Sequence, residues 1–199
     1  SIHIAIGEIY AGVVTIEDQI KSDAKDTIDG LKALGIQRIV MLTGDARAVG
    51  EKIAKSLGIK EVYSELLPSD KVEQVEKLTA EKRTKGKLVF VGDGINDAPV
   101  LMRSDVGIAM GALGSDAAIE AADVVLMTDE PKKIITAIKL SRFTQRVVWQ
   151  NSTLAEGVKV LVLILGTFGM ASMWEAVFAD VGVALLAVFN ALRLLNSKV

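Results

Sequence analysis

The sequence predicts an α/β domain built on a parallel sheet, followed by a membrane-embedded part. Three observations carry this. Up to about residue 139, short apolar runs alternate with charged segments of helical period, the signature of strand–helix alternation. Two of those runs end directly in glycine–aspartate turns, Thr43-Gly44-Asp45 and Gly92-Asp93-Gly94. Beyond residue 147 the chain is almost continuously apolar. Half of the 199 residues are hydrophobic but only 5% are aromatic, and the mean hydropathy of +0.38 is high for a soluble domain. A net charge of −2 gives no basis for a nucleic-acid partner, and the lack of cysteine excludes disulfides and thiolate metal sites from this stretch. The start, Ser1-Ile2-His3-Ile4-Ala5-Ile6, has neither the basic flank nor the long apolar core of a signal peptide and reads as a chain entered in a strand.

Residues 2–6 and 11–16 are two apolar runs around Gly7-Glu8, which predicts a hairpin. From Glu17 to Leu34, Ile20, Ala24, Ile28, Leu31 and Leu34 form a helical stripe closed by Gly35. A strand over 38–42 leads into Thr43-Gly44-Asp45, and a helix over 46–57 is closed by Gly58. A short strand over 61–64 and a helix over 69–82, capped by Ser69 or Asp70, follow. The strand at 87–91 runs into Gly92-Asp93-Gly94-Ile95-Asn96-Asp97-Ala98-Pro99, and a short helix covers 99–103. Strands at 105–109 and 124–127 flank a helix over 115–121. The alternation predicts a parallel sheet with helices on both faces.

In a parallel sheet, loops that leave strand ends share one edge, where ligands bind. Thr43, Gly44 and Asp45 thus lie on the same edge as Asp93, Asn96 and Asp97, and Lys71 starts a helix after the Leu67-Pro68-Ser69-Asp70 turn that points there. Taken singly, Lys71 is an ordinary helix lysine and Thr43-Gly44-Asp45 an ordinary turn; their order and shared edge carry the inference. Carboxylates with one lysine and free backbone N–H groups suit a hard cation such as Mg²⁺ together with a phosphoryl group.

With Thr43-Gly44-Asp45, Leu67-Pro68-x-Asp70-Lys71 and Gly92-Asp93-Gly94-Ile95-Asn96-Asp97-Ala98-Pro99 in this order, the chain resembles the second half of the phosphorylation domain of P-type ATPases, cation pumps on a haloacid-dehalogenase-like fold. The resemblance covers nearly the whole chain. It implies that Asp93 holds the catalytic Mg²⁺, that Asn96 and Asp97 order that site, and that Lys71 and Thr43 contact the phosphoryl group of ATP. It also implies four parts: residues 1–16 end the nucleotide-binding domain and 17–130 form the second part of the phosphorylation domain. Residues 131–146 are a cytoplasmic linking helix, and 147–195 a two-helix transmembrane hairpin. No Asp-Lys-Thr-Gly-Thr run, which carries the family's nucleophile, occurs here, nor do the Thr-Gly-Glu, His-Pro and Cys-Pro-Cys motifs. The chain therefore reads as a C-terminal fragment that needs the missing N-terminal part of the same pump.

Two spans, about 147–166 and 174–194, each approach the roughly 20 residues that cross a bilayer. Lys132, Lys133, Lys139, Arg142 and Arg146 precede the first, and Arg193 and Lys198 follow the second, which places both termini in the cytoplasm of a cell-membrane protein. Glu156, Lys159 and Asp180 sit inside the spans and Glu175 nearer an end; charges there are costly and are expected to face a pathway. A core hairpin of a soluble protein is the plainer alternative. Asp180-Val181-Gly182, flanked by Met173-Trp174-Glu175-Ala176 and Asn190-Ala191-Leu192-Arg193, resembles the last-helix motif of the zinc/cadmium/lead branch of heavy-metal P-type ATPases. Lys159, in Gly157-Val158-Lys159, matches that branch's lysine in the preceding helix. The resemblance implies that Asp180 binds the transported divalent ion and that Lys159 replaces it after release. Glu156 departs from the pattern and stands three residues from Lys159, placed to pair with it. A second reading is a membrane-tethered module without catalysis; a third, an anchored phosphatase of the same fold, lacks its nucleophilic aspartate.

Overall fold

The chain divides into two units, Ser1–Lys132 and Lys133–Val199, in a computed structural model that describes residues 2–7, 9–14, 19–82, 85–92, 97–111 and 116–195. In the first unit, β1 (Ile2–Ile6) pairs with β2 (Ile9–Val14) as an antiparallel hairpin with an irregularity between Ile4 and Ala5. The second strand begins earlier than its apolar run suggests, because Ile9 and Tyr10 pair with Ile6 and Ala5 right up to the turn.

The first helix, α1 (Ala24–Ala33), is shorter than the stripe from Glu17 predicts. Residues ahead of it are tied elsewhere: Lys21 pairs with Asp129, and the Asp23 carboxylate accepts the Lys132 N–H at 3.1 Å. Residues 15–18, at the start of the expected stripe, lie outside the described residues. Next come β3 (Val40–Leu42), α2 (Arg47–Leu57) and β4 (Glu61–Tyr63). Gly58 closes α2 at φ 68°, a left-handed geometry that costs glycine nothing. Helix α3 (Pro68–Glu81) starts one residue before the sequence suggests. Proline suits the first helical position, and Asp70 acts from the third by accepting the Leu67 N–H at 3.0 Å.

The remaining elements of this unit are β5 (Val89–Gly92), α4 (Ala98–Leu101), β6 (Val106–Met110), α5 (Asp116–Ala121) and β7 (Val124–Leu126). All pairings beyond the hairpin are parallel, as helical crossovers require. The strands form two sheets, β3–β4 and β5–β6–β7, rather than the single sheet the alternation suggests, and among the described residues no strand joins β3 to β5. The core sits on the larger sheet: Leu101 and Ala109 are buried against Phe90, Ala121, Ala122 and Val125.

Asp105 closes the corner between α3, β5 and β6. It accepts the Leu88 N–H at 2.8 Å and pairs with Lys82, with Lys87 Nζ 3.6 Å away. Chiefly the Leu88 N–H, then Lys82, hold its carboxyl down at about 2. A carboxyl depressed on folding stabilises the fold above its unfolded value, about 3.9, and that contribution disappears as pH falls through the folded value. Asp105→Asn is expected to weaken amide-exchange protection of β5 and β6 near neutral pH and to flatten its loss between about pH 4 and pH 2. Protection that falls with acid as steeply in the variant as in the parent would refute the assignment.

The second unit is built on α6 (Lys132–Thr167), 36 continuous residues that carry the linking segment straight into the apolar stretch, and α7 (Met173–Leu192). Ser172 precedes α7 and donates its N–H to Glu175 at 2.7 Å, so Glu175 closes the helix start. Among the described residues only α7, with a mean hydropathy of 1.8, is long and apolar enough to cross a membrane. The second half of α6 falls short of the two-span expectation because Gln150, Asn151, Glu156 and Lys159 dilute its apolar run.

Candidate functional site

Thr43 follows β3 directly and is almost entirely buried. Its hydroxyl donates to Asp45 Oδ2 at 2.7 Å, and the Asp45 N–H donates back to Thr43 Oγ1 at 3.1 Å. The turn is stitched to the segment after β4: Thr43 N–H to Tyr63 O, 2.9 Å; Leu66 N–H to Thr43 O, 3.1 Å; and Glu65 N–H to Asp45 O, 2.9 Å. Glu65 adopts φ 60° to make this possible. Nothing local in the sequence points to that role, since glutamate is not a residue that favours the left-handed region. Gly44 lies close under Leu66, whose carbonyl would stand 3.3 Å from an added Cβ.

Pro68 sets the start of α3 and so places Lys71 in its first turn. Lys71 Nζ lies 2.9 Å from Asp97 Oδ1, and the two side chains are only 19% and 12% exposed. Gly92, at the end of β5, makes this pair possible: a Cβ there would lie 2.9 Å from the Cβ of Asp97. Gly92 thus admits the Asp97 side chain at the end of β5.

The structure brings together Thr43 with Asp45, and Lys71 with Asp97; among the described residues no hydrogen bond or ion pair links one couple to the other. Asp93 and Asn96, with Gly94 and Ile95 between them, lie outside the described residues. Among the described residues no group of three or more histidine, aspartate or glutamate side chains gathers to hold a metal. Asp97 commits Oδ1 to Lys71. Low exposure strengthens the field of Lys71 on an anionic group at this edge.

In the second unit, Lys159 of α6 and Asp180 of α7 line one groove of about 310 Å³, together with Ala155, Val158, Val162, Leu163, Ala176, Ala179 and Val183. Among the described residues neither Glu156 nor Asp180 forms an ion pair with Lys159. The Glu156–Lys159 pairing that their spacing permits is therefore not made, and Lys159 faces the same groove as Asp180.

The first unit thus presents a strand-end turn and a seated lysine–aspartate pair on parallel strands with helical crossovers. Residues 2–105 match the family model for haloacid dehalogenase-like hydrolases, and the chain belongs to that family. It is 59% identical to the cadmium, zinc and cobalt-transporting ATPase of Bacillus subtilis over 197 residues, 99% of this chain and 28% of that protein. Identity to the zinc-transporting ATPase of a Synechocystis species is 54% over 193 residues, 97% of this chain and 27% of that protein. The crystal structure of a zinc-transporting PIB-type ATPase in the E2.Pi state aligns with a TM-score of 0.82 at 42% identity, covering 90% of this chain and 28% of that one. The chain spans between a quarter and a third of each of these relatives, which are heavy-metal-transporting P-type ATPases as the motifs indicate.

Proposed function

We propose that this chain is part of an ATP-driven exporter of a divalent heavy-metal ion, Zn²⁺, Cd²⁺ or Pb²⁺, that works through an aspartyl-phosphate. The observation that carries the reading is the convergence of Lys159 and Asp180 on one groove, in a chain whose residues 2–105 match the haloacid dehalogenase-like hydrolase family. In this reading the second half of α6 and α7 both cross the bilayer, with the first unit and both termini in the cytoplasm. Lys132, Lys133, Lys139, Arg142 and Arg146 before one span and Arg193 and Lys198 after the other support that orientation. Asp180 receives the transported ion, for which a carboxylate is a suitable ligand, and Lys159 neutralises Asp180 once the ion has left.

In the cytoplasmic unit, Lys71 and Thr43 take the phosphoryl group, Gly44 and Asp45 shape the turn, and Asn96 and Asp97 order the cation site. Asp93 would hold Mg²⁺, which when bound neutralises charge on the phosphoryl oxygens. The phosphorylated aspartate belongs to the part of the pump outside these 199 residues, because no Asp-Lys-Thr-Gly-Thr run is present. The chain alone is accordingly expected to form no phosphoenzyme and to hydrolyse no ATP. Radiolabelled ATP and a phosphate-release assay on the purified chain test this. Turnover that Asp93→Ala abolishes would mean that the nucleophile lies within these residues and that the reading is wrong.

A further inference from the structure

The geometry points to an amide bridge between Asn151 and Asn190 that fixes the register of α6 against α7 and so positions Lys159 and Asp180 in their groove. The geometry stands by itself; its consequence for metal binding rests on the transport reading above. Asn190 Nδ2 donates to Asn151 Oδ1 at 2.8 Å and to Gln150 Oε1 at 3.2 Å. Asn151 Nδ2 donates in turn to the main-chain carbonyl of Ala187 at 3.1 Å. Arg193 Nη1 braces the far side by donating to Asn190 Oδ1 at 3.0 Å. Both asparagines are half-buried.

The bridge lies on the same seam as the groove. On α6, Asn151 is followed at helical spacing by groove residues Ala155 and Val158, and on α7 Val183 is followed by Ala187 and Asn190. A seam of alanine and valine holds helices together without fixing their axial position, since a slide of one turn replaces one apolar contact by another. Directional hydrogen bonds are satisfied in one register only. From Asn151 to Lys159 is about 12 Å of helical rise, and from Asn190 back to Asp180 about 15 Å. In an antiparallel pair pinned at the two asparagines, the two charged groups thus stand within about 3 Å of the same level. A slip of one turn, about 5 Å, sets them about 8 Å apart in one direction and carries one past the other in the opposite direction, so only the pinned register fixes their relation. Asn151 and Asn190 are positioning residues in this scheme, acting through Lys159 and Asp180.

Two measurements test it. The full 199-residue chain has no cysteine, so spin labels at Val160→Cys and Val181→Cys, both exposed, report the register in lipid nanodiscs. The parent is expected to give one narrow distance, and Asn151→Ala and Asn190→Ala each a broadened or shifted one. The double variant should add nothing further, and Asn190→Gln, which keeps the amide, should stay close to the parent. Asn190→Ser, too short to reach Asn151, serves as a milder variant if alanine prevents insertion. In the complete pump, each alanine variant is expected to bind zinc about threefold more weakly, and the double also about threefold rather than ninefold. Phosphorylation from inorganic phosphate should be unchanged. An unaltered distance distribution in the asparagine variants overturns the bridge, whatever zinc does. A shifted distribution with parental zinc affinity overturns its positioning role. If Asp180→Asn, measured alongside, binds zinc like the parent, the transport reading falls as well, while the distance measurement still decides the bridge.

Discussion

Replacing Lys71 with alanine in the complete pump is expected to lower phosphoenzyme formation about a hundredfold or more, the scale of losing a preorganised charge beside a reacting group. Two effects are superimposed in that variant. Lys71 is the partner of Asp97 at 2.9 Å, and Asp97 is only 12% exposed, so alanine also leaves a sheltered carboxylate without its cation. That second effect costs the first unit about 1–3 kcal/mol of stability. A paired substitution, Lys71→Met with Asp97→Asn, removes both charges and is expected to recover most of the stability while phosphorylation stays low. Phosphoenzyme levels from labelled ATP, read beside thermal unfolding, separate the two. If Lys71→Ala phosphorylates like the parent once corrected for folded protein, Lys71 has a structural role only.

The other large effect is expected at Asp180. Asp180→Asn keeps size and hydrogen-bonding capacity but removes the charge, and in the complete pump it should abolish zinc-stimulated ATPase activity and weaken zinc binding at least tenfold. Lys159→Ala should retain zinc binding but slow release, because nothing then compensates the vacated carboxylate in a medium where an unpaired charge costs about 2.5–3.5 kcal/mol. Loss of binding in one variant and its retention with slowed release in the other distinguish a ligand from a counter-charge. Parental zinc binding and transport in Asp180→Asn would place the transported ion elsewhere.

The strand–helix alternation, the parallel pairing and the order of the phosphoryl-site motifs were legible because each rests on local chemistry: apolar runs, glycine at strand ends, proline at a helix start. Lys159 and Asp180 are singled out by resemblance rather than by local chemistry, and the structure places both along one groove. What the sequence concealed depends on contacts distant along the chain. Nothing near Glu17 shows that Lys21 and Asp23 are held by Asp129 and Lys132, which delays α1. Spacing placed Glu156 beside Lys159, yet the rotation of α6 directs the lysine to the groove that α7 completes. Gly92 is visible as a glycine at a strand end, but nothing local shows that the Asp97 side chain packs against it. Asn190 enters the sequence reading only as part of a motif and Asn151 not at all, and only their pairing across two helices gives them a purpose.

The division of the parallel strands into two sheets bears on how this chain behaves in a tube. Among the described residues β3 and β5 each pair on one side only, and Val89 and Val91 of β5 are 44% and 37% exposed. A row of free N–H and C=O groups beside exposed valine is a template for strand addition by another molecule. Parallel pairings also close late in folding, which lengthens the time for which such edges stand open. These two backbone edges of the first unit add a route to association that a small net charge of −2 opposes only weakly. Additives that raise surface charge or screen it leave those edges as they are, whereas a peptide strand that pairs with them would close them.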